Sequence, residues 1–197
     1  MVSRALWLSL AALLFAVPVL GQANAGKAVI YIGGSYNRAQ VDGAENGFFG
    51  LDFSAAKMMN SNISLGAQFG FDVVHYYKYT VPSSADEGGG DYTERLAVVP
   101  ILLKGRYYLS LNQMMQLNFS LGAGVYNTIS RLGGATVGGI SGNVTEIGGS
   151  IGVGFDYWFL LVTGVSFEFE YHMFTVPSGG TMFKYWQVRV DYGIIKF

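Results

Sequence analysis

Four residues with chemical potential recur at every second position of one short stretch: Ser166, Glu168, Glu170 and His172. On a β-strand that spacing sets all four on one face. A hydroxyl, an imidazole and a carboxylate together are the parts of a base-activated nucleophile. The same face also suits an ion-pair network, because buried carboxylates are costly unless cations meet them. Arg189 and Gln187 share a parity further along the chain, and Lys104 and Arg106 share one earlier, so the partners of such a network are present. The other histidine, His75, precedes Tyr76 and Tyr77 and brings no comparable set. The glycine-rich run at 131–142 (RLGGATVGGISG) lacks the Gly-Lys-Ser/Thr ending and following helix of a phosphate-cradling loop. The acidic run Pro82–Asp91 lacks the spacing of a calcium loop. With no cysteine, thiolate metal sites and disulfides are excluded, and no metal or cofactor is expected.

Strands must position these groups, and strand patterning dominates the chain. Ile63, Leu65, Ala67, Phe69, Phe71 and Val73 share one parity, while Ser64, Gly66, Gln68, Gly70 and Asp72 share the other. The same division runs through 116–126, 146–157, 165–173 and 186–192, and less cleanly through 28–36, 48–56 and 96–107. These segments predict eight strands. The connectors near 57–62, 110–115 and 158–161 are short, whereas those at 38–46, 78–93, 127–144 and 175–183 are longer and hold Pro82, Pro177 and most consecutive glycines. Short turns at one end and long loops at the other are the rhythm of an outer-membrane barrel. The expected fold is all-β: an eight-stranded antiparallel up-and-down transmembrane β-barrel formed by residues 26–197 as one domain.

Residues 1–25 read as a cleaved signal peptide. Arg4 supplies the positive charge, Ala5–Leu20 the apolar stretch, and Ala23 with Ala25 the small-residue cleavage pattern. Broken by Pro18, the apolar stretch falls short of the roughly 20 residues that a spanning helix needs. No later run reaches that length either. Only 13% of residues are charged and the net charge is −1, against about 25% charged in soluble domains. Low net charge with 51% hydrophobic residues excludes a disordered chain, and no basic excess marks a nucleic-acid partner.

A soluble ligand-binding barrel would show the same period, so composition of the polar parity decides. A face in bulk water carries many charges; here it is mainly Gly, Ser, Gln and Asn with isolated charges. Small polar residues suit the interior of an eight-stranded barrel, which is only wide enough for its own side chains. By this parity Asp52, Asp72, Glu146, Asp156, Glu168, Glu170 and Asp191 face inward with Lys104, Arg106, Arg189 and His172, forming salt bridges with trapped water. Aromatic residues at strand ends, Tyr77, Tyr107, Tyr157, Tyr171 and Trp186, are expected in girdles at the two membrane interfaces, where a ring lies among acyl chains with its polar tip hydrated.

The segment Val99-Pro-Ile-Leu-Leu-Lys-Gly-Arg-Tyr-Tyr108, the following Leu121-Gly-Ala-Gly-Val125 and the final Phe197 resemble the small OmpA/OmpX-type outer-membrane barrels over residues 26–197. The resemblance implies a Gram-negative outer membrane, lipid or lipopolysaccharide as surroundings, a monomer, and Phe197 with Ile195 read by the barrel-insertion machinery during biogenesis. Trp186, Val188, Val190 and Tyr192 lie on the parity opposite to Ile195, so a bulge near Gly193 is expected to switch the face. Some barrels of this type modify lipids, but neither histidine carries the His-x-Ser of the lipid A deacylases. The reading is a non-enzymatic barrel with a polar, plugged lumen and a structural or surface-exposed role, its long loops meeting an unidentified surface ligand. A narrow channel for small solutes and a lipid-modifying enzyme are the alternatives.

Overall fold

A computed structural model describes residues 26–40, 47–81, 90–134, 140–160, 162–175 and 182–196. The signal-peptide segment and Phe197 lie outside them. Alternating sequence becomes eight strands: β1 (Ala28–Ala39), β2 (Phe48–Met58), β3 (Ile63–Val81), β4 (Gly90–Ser110), β5 (Met115–Gly134), β6 (Ile140–Tyr157), β7 (Thr163–Thr175) and β8 (Met182–Lys196). Each pairs antiparallel with the next, and β8 returns to β1. The sheet therefore closes, so every strand has a partner on both sides around the ring. Closure is what permits strands to cross hydrocarbon.

At the short-turn end, two asparagines build similar corners. Asn60 Oδ1 accepts from the backbone N–H groups of Asn62 and Ile63, both at 2.8 Å, and Asn112 Oδ1 accepts from those of Met114 and Met115 at 2.8 and 2.9 Å. Such side-chain-to-backbone bonds let a strand reverse within a few residues. The other end is uneven. The ladder continues to Val81↔Gly90 and to Leu132↔Ile140, whereas β2 leaves β3 at Asp72 and β7 leaves β6 at Gly148. A four-stranded sheet of β3–β6 thus rises beyond one side of the ring. Much of the long connectors expected at 78–93 and 127–144 is strand, because backbone pairing continues through residues whose alternation is too weak to read.

Two local features depart from the expected parities. The β3–β4 register shifts between Val73 and His75, an irregularity that changes which residues share a face. Tyr77 pairs with Glu94 beyond it, and its side chain lies outside the described ones. The bulge expected near Gly193 is absent: β8 stays in unbroken register with β1 through Lys196 and with β7 through Ile194. Ile195 accordingly remains inward and is 3% exposed. It is tolerated there because the lumen at this level is apolar, lined by Val29, Met58 and Trp158.

Candidate functional site

Inward side chains are stacked in layers along the barrel axis. Nearest the short turns, Val29, Tyr31, Met58, Tyr108, Trp158 and Ile195 form an apolar floor. Immediately above it Asp156 accepts hydrogen bonds from Ser166 Oγ (2.6 Å), Asn118 Nδ2 (2.9 Å) and the Tyr31 hydroxyl (3.1 Å). The Arg106 guanidinium lies 4.6 Å from the centre of the Tyr31 ring, where the negative ring face attracts it.

The middle layer centres on Glu168. Its carboxylate accepts from Lys104 Nζ (2.8 Å), Arg106 Nη2 (3.1 Å), Arg189 Nη2 (2.9 Å) and Ser120 Oγ (2.6 Å). Lys104 also donates to Glu170 Oε2 at 2.8 Å. Arg189 Nε lies 2.7 Å from Asp191 Oδ2, and its Nη1 lies 3.7 Å from both Asp52 and Glu170. Register explains the encounter: Glu168 pairs with Arg189 across β7 and β8, while Gly152 pairs with Glu170 on the other side. A Cβ at Gly152 would sit 2.5 Å from Ser120 Oγ and 3.0 Å from Glu168 Oε1. The missing side chain leaves room for the bond between them. Gly33 acts similarly, since a Cβ there would collide with the backbone of Val190 and Asp191.

Higher still, Asp72 accepts from the Tyr185 hydroxyl and from Gln187 Nε2, each at 2.9 Å, and Gln187 Nε2 reaches Asp52 at 3.1 Å. The His172 ring stacks on Tyr185 with centres 4.4 Å apart. Its Nε2 donates to Gln187 Oε1 at 3.3 Å, and its Nδ1 lies 3.1 Å from the Tyr126 hydroxyl. A second apolar layer lies above these groups: Ala39, Val74, Val98, Leu102 and Phe174 pack with the rings of Tyr126 and Tyr185. Ser166 gives its hydroxyl to Asp156 and not to His172, so the nucleophile arrangement conceivable from spacing is not assembled. Among the described residues no group of His, Asp and Glu could hold a metal ion.

The expected lumen residues Asp52, Asp72, Lys104, Arg106, Glu168, Glu170, His172 and Arg189 are all buried, and one connected set of contacts includes them. Sequence reasoning missed the two apolar layers. The signal of the upper one was Val98, Leu102, Tyr126, Phe174 and Tyr185 on the inward parity, large residues where polar ones dominate.

The outer face is apolar. Leu51, Leu103, Leu121 and Ile147 are 71%, 62%, 68% and 76% exposed, which in water would be an aggregation hazard and in a bilayer is the solvent-matched surface. Tyr107 and Tyr157 stand near the short-turn ends of β4 and β6, with Tyr107 paired to Ile63 and Phe119. Tyr171 and Trp186 stand on the loop side. The Tyr171 hydroxyl donates to Gln40 Oε1 at 2.8 Å, and Trp186 lies between Tyr36 (5.7 Å) and Phe169 (6.3 Å).

No family model matches the sequence, and no curated protein matches it. Solved structures do match. Neisserial surface protein A is similar at 11% identity with a TM-score of 0.57, covering 86% of this chain and 98% of that one. The N-terminal barrel domain of Pseudomonas aeruginosa OprF gives 13% identity and 0.52 over 87% of this chain and 98% of that one. The attachment invasion locus protein Ail of Yersinia pestis, solved with the heparin analogue sucrose octasulfate, gives 14% and 0.51 over 86% and 99%. At these identities the likeness speaks for the fold, and the chain has the eight-stranded outer-membrane β-barrel fold that its OmpA/OmpX-type resemblance implied.

Proposed function

We propose that this chain is an integral outer-membrane protein of a Gram-negative bacterium. Its lumen is closed by its own side chains, and its role is structural or surface-contacting rather than catalytic. The observation that carries the reading is the layering of the lumen. A buried network centred on Glu168, with Lys104, Arg106 and Arg189 around it, lies between two apolar layers. Such a barrel is filled rather than open. The tall β3–β6 sheet supports contact with the environment at the loop end, and a monomer suits a ring that leaves no lateral edge within the membrane. Detergent-refolded protein should migrate differently before and after boiling, and in planar bilayers it should give no stable large conductance. A stable open pore overturns the closed-lumen reading.

A narrow solute channel is the second reading. Buried carboxylates outnumber buried cations along the lumen, with Asp52, Asp72, Glu146, Asp156 and Asp191 joining the two glutamates of the network. A path that opened would therefore favour cations, and small cation-selective currents in the same recordings would support it.

A further inference from the structure

The wall and the lumen divide the charges between them. Every Asp and Glu whose side chain is described is buried, whereas Arg38 and Lys57 are exposed and Lys184 is half-buried. Among the described side chains, the charges on the otherwise apolar outer wall are cationic. Arg38 pairs with Trp186, and the Gln40 N–H donates to the Lys184 carbonyl at 2.8 Å. Arg38 and Lys184 are thus diagonal neighbours at the loop end, on the order of 7–8 Å apart at the backbone. Two like charges so close repel unless an anion lies between them.

An apolar groove of about 600 Å³ lies lower on the same wall, ending at Tyr171. It crosses the wall past Gly105, Leu121, Ile151 and Tyr171, and Gly105 deepens it by offering no side chain on the outward parity. These four residues are successive register partners, and the line continues from Tyr171 to Trp186 and then to Arg38. Gly105 is near the short-turn end of β4, and Arg38 is at the loop end of β1. Five strand-to-strand steps of about 4.8 Å make roughly 24 Å. On strands tilted by about 45° that line descends about 17 Å, somewhat over half of the roughly 30 Å hydrocarbon core.

We infer that this line binds one anionic lipid of the loop-side leaflet, its phosphate between Arg38 and Lys184 and an acyl chain along the groove toward Gly105. Position, polarity and charge agree: the apolar groove and the cation pair lie on one register line about a leaflet deep, with Trp186, an indole of the interfacial type, between Tyr171 and Arg38. The inference rests on the outer-membrane reading above.

The test is native mass spectrometry of the protein folded in detergent, with heat-modifiable mobility followed in every sample. Lipid A is expected to remain on the barrel as a one-to-one adduct, its dephosphorylated form at least tenfold less, and inorganic phosphate at equal concentration is expected not to displace it. R38Q/K184Q is expected to lose tenfold or more of the lipid A adduct without changing retention of the dephosphorylated lipid, and Gly105→Leu to reduce both. Equal retention of the two lipids, no loss in R38Q/K184Q, or displacement by inorganic phosphate overturns the lipid site. If the double variant fails to fold, the comparison of the two lipids on the unaltered protein decides alone. A chain that never shows heat-modifiable mobility overturns the barrel reading instead.

Discussion

Glu168 on β7 and Arg189 on β8 are register partners whose side chains meet at 2.9 Å inside the barrel, both fully out of solvent. The same carboxylate also holds Lys104 and Arg106. Among the described residues it is the one carboxylate that joins these three buried cations.

Glu168→Gln should therefore cost more than its single charge suggests. Three cations lose their common partner in a medium where an uncompensated charge is expensive, and a loss of about 3–5 kcal/mol is expected. Urea titration of the heat-modifiable band checks it. Ser120→Ala, which removes only the 2.6 Å hydroxyl bond to Glu168, should cost about 1–3 kcal/mol. An equal loss in the two variants would show that Glu168 is not the hub.

Gly152→Val tests whether the inward glycines make space for the network. The new side chain would press on Ser120 Oγ and Glu168 Oε1, and overpacking of this kind costs about 1–3 kcal/mol. A lower urea midpoint is expected. If the midpoint holds, the glycine is not required for the Ser120–Glu168 bond.

His172→Ala separates a packing role from a catalytic one. Loss of the stack on Tyr185 and of the bond to Gln187 should lower stability by about 1–3 kcal/mol. Lipid A mass spectra of cells producing the protein or the variant should be identical. A lipid species that disappears with the histidine would revive the enzymatic alternative.

Trp158→Ala should open the floor. It removes the largest side chain of the layer that holds Tyr31 and Ile195, at a cost of about 3–5 kcal/mol. Small ionic currents absent from the unaltered protein should become measurable in planar bilayers. Unchanged currents would mean that the charged layer alone closes the lumen.

Strand number and the inward placement of the charged residues were legible because parity is a local signal: Glu168, Glu170 and His172 declare a shared face by spacing alone. The apolar layers were not, because period two says which side a residue faces and not what lies opposite. Leu102 and Val98 look like ordinary strand residues until Tyr126 and Phe174 are known to meet them. The register shift beside Val74 was hidden for a related reason, since its one extra residue falls within a run, Val73-Val74-His75, without a glycine to mark it. Ile195 misled in the opposite sense. A hydrophobe near the end of the last strand suggested a change of face, whereas the inward position at that height is simply apolar. The groove and the Arg38–Lys184 neighbourhood depend on register across five strand pairs, which no single segment encodes.

Closure of the ring has a kinetic side. β8 is the last strand along the chain and pairs with the first, and such distant contacts form late because a long loop must close before they are rewarded. Arg189 travels on that strand. Until β8 docks, Glu168 has only the cations Lys104 and Arg106, and Asp52 on β2 has no Arg189 guanidinium beside it. The final seam and the final cation thus arrive together, so a chain arrested before closure is left with an electrostatic debt at its interior as well as two open edges. Completion of the barrel is the step that discharges both.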